Sequence, residues 1–293
     1  MSDWGRVLTA MVTPFDASLR VDYEAVQRLA RYLAENGSDG IVVAGSTGES
    51  ATLSQQEKLR LFETVVETVG DRVRVIAGTG GNNTAETIDL TKKAEATGVH
   101  GIMLVAPYYN KPPQDALYEH FKSVAAATRL PVMIYNVPGR TGVNVTADTI
   151  ARLAEIPNVV AVKEASGDLV QIAEIRRRTS ADFRVYSGDD ALTLPILAVG
   201  GHGVVSVASH VAGKEMAQMI NLWFKGQVQK ATELHLRLLP LFGALFVTTN
   251  PIPVKHALKL IGHDVGGLRP PLRPASSSEE AVLAKAMRES GVL

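Results

Sequence analysis

Cysteine is absent from all 293 residues of the chain. Neither a disulfide nor a thiolate zinc site can form, a composition that suits a reducing cytoplasm. Net charge is absent too, because 30 Lys and Arg balance 30 Asp and Glu. A chain with no basic or acidic excess is a poor match for nucleic acid or an anionic membrane surface as its main partner. Aromatic residues make up only 5% of the chain, so its 46% hydrophobic content is chiefly aliphatic. No segment approaches the roughly 18 consecutive apolar residues of a membrane-spanning helix. The opening MSDWGRVLTA carries Asp3 and Arg6 and lacks the apolar core of a secretion signal. Two nucleotide-binding patterns are missing: there is no Gly-x-x-x-x-Gly-Lys-Ser/Thr, and no Gly-x-Gly-x-x-Gly follows the first apolar run. The seven histidines form no His-x-His or His-Glu-x-x-His pair, so no metal site is expected. Asp189-Asp190 suits a helix N-cap better than a cation.

What is present is an alternation. Short aliphatic runs at 7–12, 40–44, 73–77, 101–106, 132–135, 159–162, 184–186 and 203–207 read as strands buried on both faces. Helical patterns with start and stop signals lie between them. Asp22 precedes a helix over 23–35 that stops at Asn36-Gly37, and Ser54-Gln55-Gln56-Glu57 is a capping box. Further helices are predicted over 84–97, 114–128, 146–156, 168–179 and 190–199. Eight strand–helix units imply a (β/α)8 barrel rather than a doubly wound sheet. After about residue 209 the pattern is helical only, over 211–224, 228–247, 253–261 and 276–289. The expected division is a catalytic barrel over 1–225 and a small helical C-terminal domain over 226–293.

A barrel of this kind carries its active site where the strands end, and those loops hold most of the chemically unusual residues. Lys163 closes the run Val159-Val160-Ala161-Val162. An ammonium beside apolar walls loses solvation and deprotonates more readily, and a neutral amine can attack a ketone to form a Schiff base. Ser46 and Thr47 lie in the Gly-rich loop 45–50, whose backbone N–H groups suit a carboxylate or phosphate. Tyr109 and Tyr135 can relay protons if neighbouring hydroxyls tune them. Arg140, in a loop bounded by Pro138 and Gly142, suits bidentate carboxylate binding. Taken singly, each has a plainer reading: a snorkelling lysine, a Gly-rich turn, rim tyrosines, a surface arginine.

Together these segments resemble a known family. GSTGES at 45–50, PYYNKP at 107–112, YNVPGRTG at 135–142, VKEASGD at 162–168, SGDD at 187–190, GGHGVVSV at 200–207 and NPIPVK at 250–255 are similar to the dihydrodipicolinate synthase family. That family belongs to the pyruvate-dependent class I aldolases. The resemblance implies that Lys163 forms an imine with pyruvate and that Tyr135 is the central proton donor and acceptor. Ser46 and Tyr109 would complete the relay, with Thr47 binding carboxylate. Arg140 would bind the carboxylate of L-aspartate 4-semialdehyde, and Gly188 and Val205 would lie near pyruvate. It further implies a cytoplasmic lysine-biosynthesis enzyme with no cofactor, since the protonated imine is its own electron sink. The homo-oligomer would be a tetramer built from two tight dimers, Tyr109 of each protomer reaching into its neighbour's site. The implied regulatory lysine site comprises Ala51, Gln55, Lys58, Gly80, Asn82, Glu86 and Tyr108. Members strongly inhibited by lysine often carry histidine where this chain has Gln55 and Lys58, and a cationic Lys58 repels a lysine ligand, so weak or absent inhibition is expected. Ser46 replaces the family's usual threonine and gives a freer hydroxyl. The alternatives are another pyruvate aldolase acting on a sugar acid or hydroxy-oxoacid, and a non-catalytic ligand-binding barrel.

Overall fold

The computed structural model describes residues 4–293, so Asp3 and the start of the stretch read for a signal lie outside the described residues. Eight parallel strands close on themselves in chain order: β1 (Val7–Ala10), β2 (Gly40–Val43), β3 (Arg74–Gly78), β4 (Gly101–Val105), β5 (Val132–Asn136), β6 (Val159–Glu164), β7 (Arg184–Ser187) and β8 (Gly203–Ser206), with β8 pairing back to β1. The expected (β/α)8 barrel is present. Helices α1 (Tyr23–Glu35), α2 (Gln55–Val69), α3 (Thr84–Glu95), α4 (Gln114–Ala125), the one-turn α5 (Pro138–Thr141), α6 (Ala147–Leu153), α7 (Leu169–Arg178), α8 (Thr193–Ala198) and α9 (Ser209–Phe224) follow the strands. Then α10 (Val228–Ala244), α11 (Ile252–Leu260) and α12 (Ser277–Glu289) pack on one another and against α8 and α9.

Local signals account for most boundaries. The Asp22 carboxylate caps α1 through Ala25 N–H, and Ser54 and Glu57 form the capping box of α2. The segment 190–199 is a 3-10 turn, Asp190–Leu192, followed by the short α8, instead of one helix. The loop expected around Arg140 contains α5, which Gly142 ends with φ at 75°.

Side chains alternate across the barrel wall. Leu8, Val42, Ile76, Met103, Met133, Ala161, Tyr186 and Val205 fill its interior, while Val7, Ile41, Val75, Ile102, Val132, Val162, Val185 and Val204 pack outward against the helices. Trp4 plugs the end where the strands begin; a Cβ on Gly101 would lie 2.5 Å from its ring. The opposite end is therefore left for polar chemistry. Among the described residues no helix is long and apolar enough to cross a membrane.

Candidate active site

Lys163 and Tyr135 are register partners on β6 and β5, and both point inward. The ammonium lies 4.1 Å from the Tyr135 ring centroid, and Lys163 is only 6% exposed. Burial drives its pKa down to about 7; the Asp190 carboxylate resists the fall and the Arg140 guanidinium adds to it. The loss of solvation behind such a shift amounts to roughly 4–5 kcal/mol. It leaves a large share of free amine at neutral pH, the condition that imine formation requires. Gly188 makes room for the lysine stem: a Cβ there would sit 3.1 Å from Lys163 Cε and 2.7 Å from Ala165 Cβ. Val205 packs in the same interior layer.

Burial pushes the Tyr135 phenol up to about 12, while Arg140 and a hydrogen bond from Ser46 pull the other way. Tyr135 therefore stays protonated at neutral pH, a hydroxyl with Ser46 as its hydrogen-bond partner. Arg140 is exposed on α5, and its guanidinium donates to the Asn250 carbonyl at 3.2 Å. The Asn250 side chain donates to Thr47 Oγ1 at 2.9 Å. Thr47 thus has its hydroxyl tied to the C-terminal segment, and Asn250 links two predicted site residues. Neither Asn250 nor Asp190 was assigned a site role from sequence; their signal lay in the NPIPVK and SGDD segments. Asp189 is an N-cap as read, but Asp190 does other work: its buried carboxylate accepts the N–H groups of Val207 at 3.0 Å and Ala208 at 2.9 Å beyond β8.

The loop that carries Ser46 and Thr47 is braced from below. Glu49, at φ 55°, is buried and pairs with Lys255 Nζ on α11 at 2.7 Å, and its other oxygen accepts Arg269 N–H at 3.0 Å. Lys255 also donates to the Gly267 carbonyl. Arg269 in turn grips Glu57, whose carboxyl it holds down to about 2.

A cavity of about 430 Å³ opens over this end of the barrel. Ser46, Tyr135, Arg140 and Asn250 line it, as do Ala51, Lys58, Gly80, Asn82, Glu86 and Tyr108. Six of the seven proposed regulatory positions are thereby brought together. The seventh, Gln55, is not on the wall: its amide donates to Asp89 at 2.6 Å. Burial lowers the pKa of Lys58. Tyr109 is 89% exposed at φ 74°, whereas Tyr135 is buried. No three His, Asp or Glu side chains gather as a metal-binding group among the described residues.

The chain has close relatives in sequence and fold. The sequence profile described as the dihydrodipicolinate synthetase family matches residues 3–290. A 4-hydroxy-tetrahydrodipicolinate synthase of Moorella thermoacetica is 57% identical over 290 residues, covering 99% of both chains. A solved dihydrodipicolinate synthase of Bacillus anthracis superposes with a TM-score of 0.96 at 52% identity, over 98% of this chain and 99% of that one. One from Cyanidioschyzon merolae, solved with lysine bound, gives 0.98 at 53% identity over 99% of each. Matched along nearly its whole length in sequence and in fold, the chain belongs to the dihydrodipicolinate synthetase family.

Proposed function

We propose that the chain is a 4-hydroxy-tetrahydrodipicolinate synthase, a lyase that condenses pyruvate with L-aspartate 4-semialdehyde in lysine biosynthesis. The observation that carries this reading is a buried lysine amine with its pKa near 7, facing a protonated phenol hydrogen-bonded to Ser46, with Arg140 at the cavity mouth. The Lys163 amine adds to the pyruvate ketone, and water leaves to give the imine. Loss of a methyl proton gives the enamine, whose carbon attacks the semialdehyde carbonyl; Tyr135 and Ser46 carry protons in these steps. The amino group of the second substrate then attacks the imine carbon, closes the ring and frees Lys163, with one water released overall.

Arg140 supports this substrate over a sugar acid, because a guanidinium on a short helix at the rim suits a carboxylate. The 89% exposed Tyr109 fits a role completed by a second protomer, in a tight dimer of a tetrameric cytoplasmic enzyme. The barrel over 1–225 carries the chemistry, and 226–293 forms a helical buttress. Thr47 orients the loop, and Gly188 and Val205 shape the pyruvate pocket.

Borohydride with pyruvate should add the reduced adduct to Lys163, detectable by peptide mass, and aspartate semialdehyde should turn over in a coupled assay. Lys163→Ala should lose adduct and at least about a thousandfold in kcat. Turnover near normal in that variant rules out the mechanism. Lysine inhibition should be weak, because Lys58 puts a cation on the cavity wall among the proposed regulatory positions. Strong inhibition at sub-millimolar lysine contradicts this.

A further inference from the structure

Lys163 does not face the barrel interior by simple alternation. Val159 packs outward, so a regular strand would turn Val160 inward, Ala161 outward and Lys163 outward. In the structure Val160 and Ala161 both contact the interior layer, and the β5–β6 register jumps from Val132↔Val159 to Met133↔Ala161. One extra residue reverses the phase of everything after it. The phase is then fixed one residue beyond the lysine. Asn136 and Glu164 are register partners on the outward face, next to Tyr135 and Lys163. Asn136 Nδ2 donates to both Glu164 oxygens at 3.1 Å, and Asn136 Oδ1 accepts Val145 N–H at 3.0 Å. Glu164 also accepts Ser166 N–H at 2.8 Å and the Gln171 side-chain amide at 3.5 Å. Glu164 is fully buried with no cation among these partners.

We propose that the extra residue at Val160 aims Lys163 inward and that the Asn136–Glu164 clamp holds it there, making Asn136 and Glu164 positioning residues for the reacting lysine. This rests on the reading of Lys163 as the reacting amine. A slip of β6 by one residue would expose Lys163 to the helix layer and bury Val162 among polar groups, so the clamp selects one register of two. An amide would keep one acceptor for Ser166 N–H but set its NH2 against the Asn136 and Gln171 donors that meet the second Glu164 oxygen.

The test follows Lys163 itself. Reductive methylation with formaldehyde and cyanoborohydride, read at Lys163 by peptide mass across pH, reports the amine without any substrate. In Glu164→Gln its midpoint should move up by about one pH unit or more, as the amine loses its fixed apolar seat. Pyruvate trapping at pH 7 should fall about fivefold or more with it. Asn136→Ser, which cannot span to the carboxylate, serves if Glu164→Gln does not fold. Leu153→Ala, in the outer core, is the control for lost stability alone. Overlay of the folded variants on the wild-type methylation profile overturns the proposal, as does an equal shift in Leu153→Ala. A wild-type profile with a depressed midpoint but no pyruvate adduct would instead refute the functional reading and leave the clamp standing.

Discussion

Burying Lys163 costs the fold stability, and on the proposed function that cost supplies a reactive amine. Its pKa is near 7 in the folded chain and near 10.5 when unfolded. Below about pH 7 both states hold the proton, and folding bears the full cost of a buried ammonium. Between about 7 and 10.5 the unfolded chain binds more protons, so stability rises with pH as the cost is removed. Lys163→Met should therefore abolish the pyruvate adduct yet stabilise the fold, by up to roughly 4 kcal/mol near pH 6.5 and by little near pH 10.5. Urea unfolding at the two pH values measures this, and an equal effect at both would contradict it. The strand-end place of Lys163 and the Pro/Gly-bounded turn that carries Arg140 were legible because both are encoded in adjacent residues. Asn250 was not: its bond to Thr47 spans 203 positions, and no local pattern encodes a contact that long. Asp190 was hidden beside Asp189, since an acidic pair before a helix reads as a cap.

Among the elements, the seam that closes the barrel depends on a neutral histidine. His210, at the start of α9, accepts Val12 N–H on Nε2 at 3.1 Å, and its Nδ1 meets the Val207 carbonyl at 2.8 Å. Protonation would bring a charge into a fully buried place and set a new N–H against the Val12 N–H; burial lowers its pKa to about 4. An unfolded histidine titrates near 6.5. The neutral ring's contribution is thus present above pH 6.5 and lost as pH falls toward 4, worth roughly 3 kcal/mol over that window. The difference in stability between the wild type and His210→Gln should shrink across it, and a pH-independent difference would refute the assignment. Strand and helix positions were readable because aliphatic runs and caps are local. The extra residue in β6 was not, because Val159-Val160-Ala161-Val162 is apolar throughout and period-2 alternation has no contrast to display there. The 3-10 turn before α8 was missed for a related reason: Asp190 directs its carboxylate to the backbone just beyond β8, a tertiary contact that overrides helix propensity.

For the molecule as a whole, the helices after the barrel complete the site instead of merely extending the chain. Outer barrel residues and Leu234, Leu238, Leu241, Val254 and Leu258 belong to one continuous core. A deeply buried polar link between the two parts is the Glu49–Lys255 pair, with side chains 1% and 3% exposed. An ion pair this deep adds little net stability as a pair, but removing one partner strands the other without solvent. Lys255→Met should therefore destabilise by about 3–5 kcal/mol, and Glu49→Gln/Lys255→Met by clearly less than the sum of the single changes. Burial lowers the Lys255 pKa, with Glu49 opposing the fall, so the pair also weakens as alkaline pH strips the ammonium. Since Glu49 ends the loop carrying Ser46 and Thr47, Lys255→Met should lower kcat in the folded enzyme while pyruvate still forms its adduct at Lys163. Additive single and double changes in denaturant unfolding would show that this pair does not couple the two parts. A kcat unchanged by Lys255→Met would show that the pair braces the fold without setting the loop.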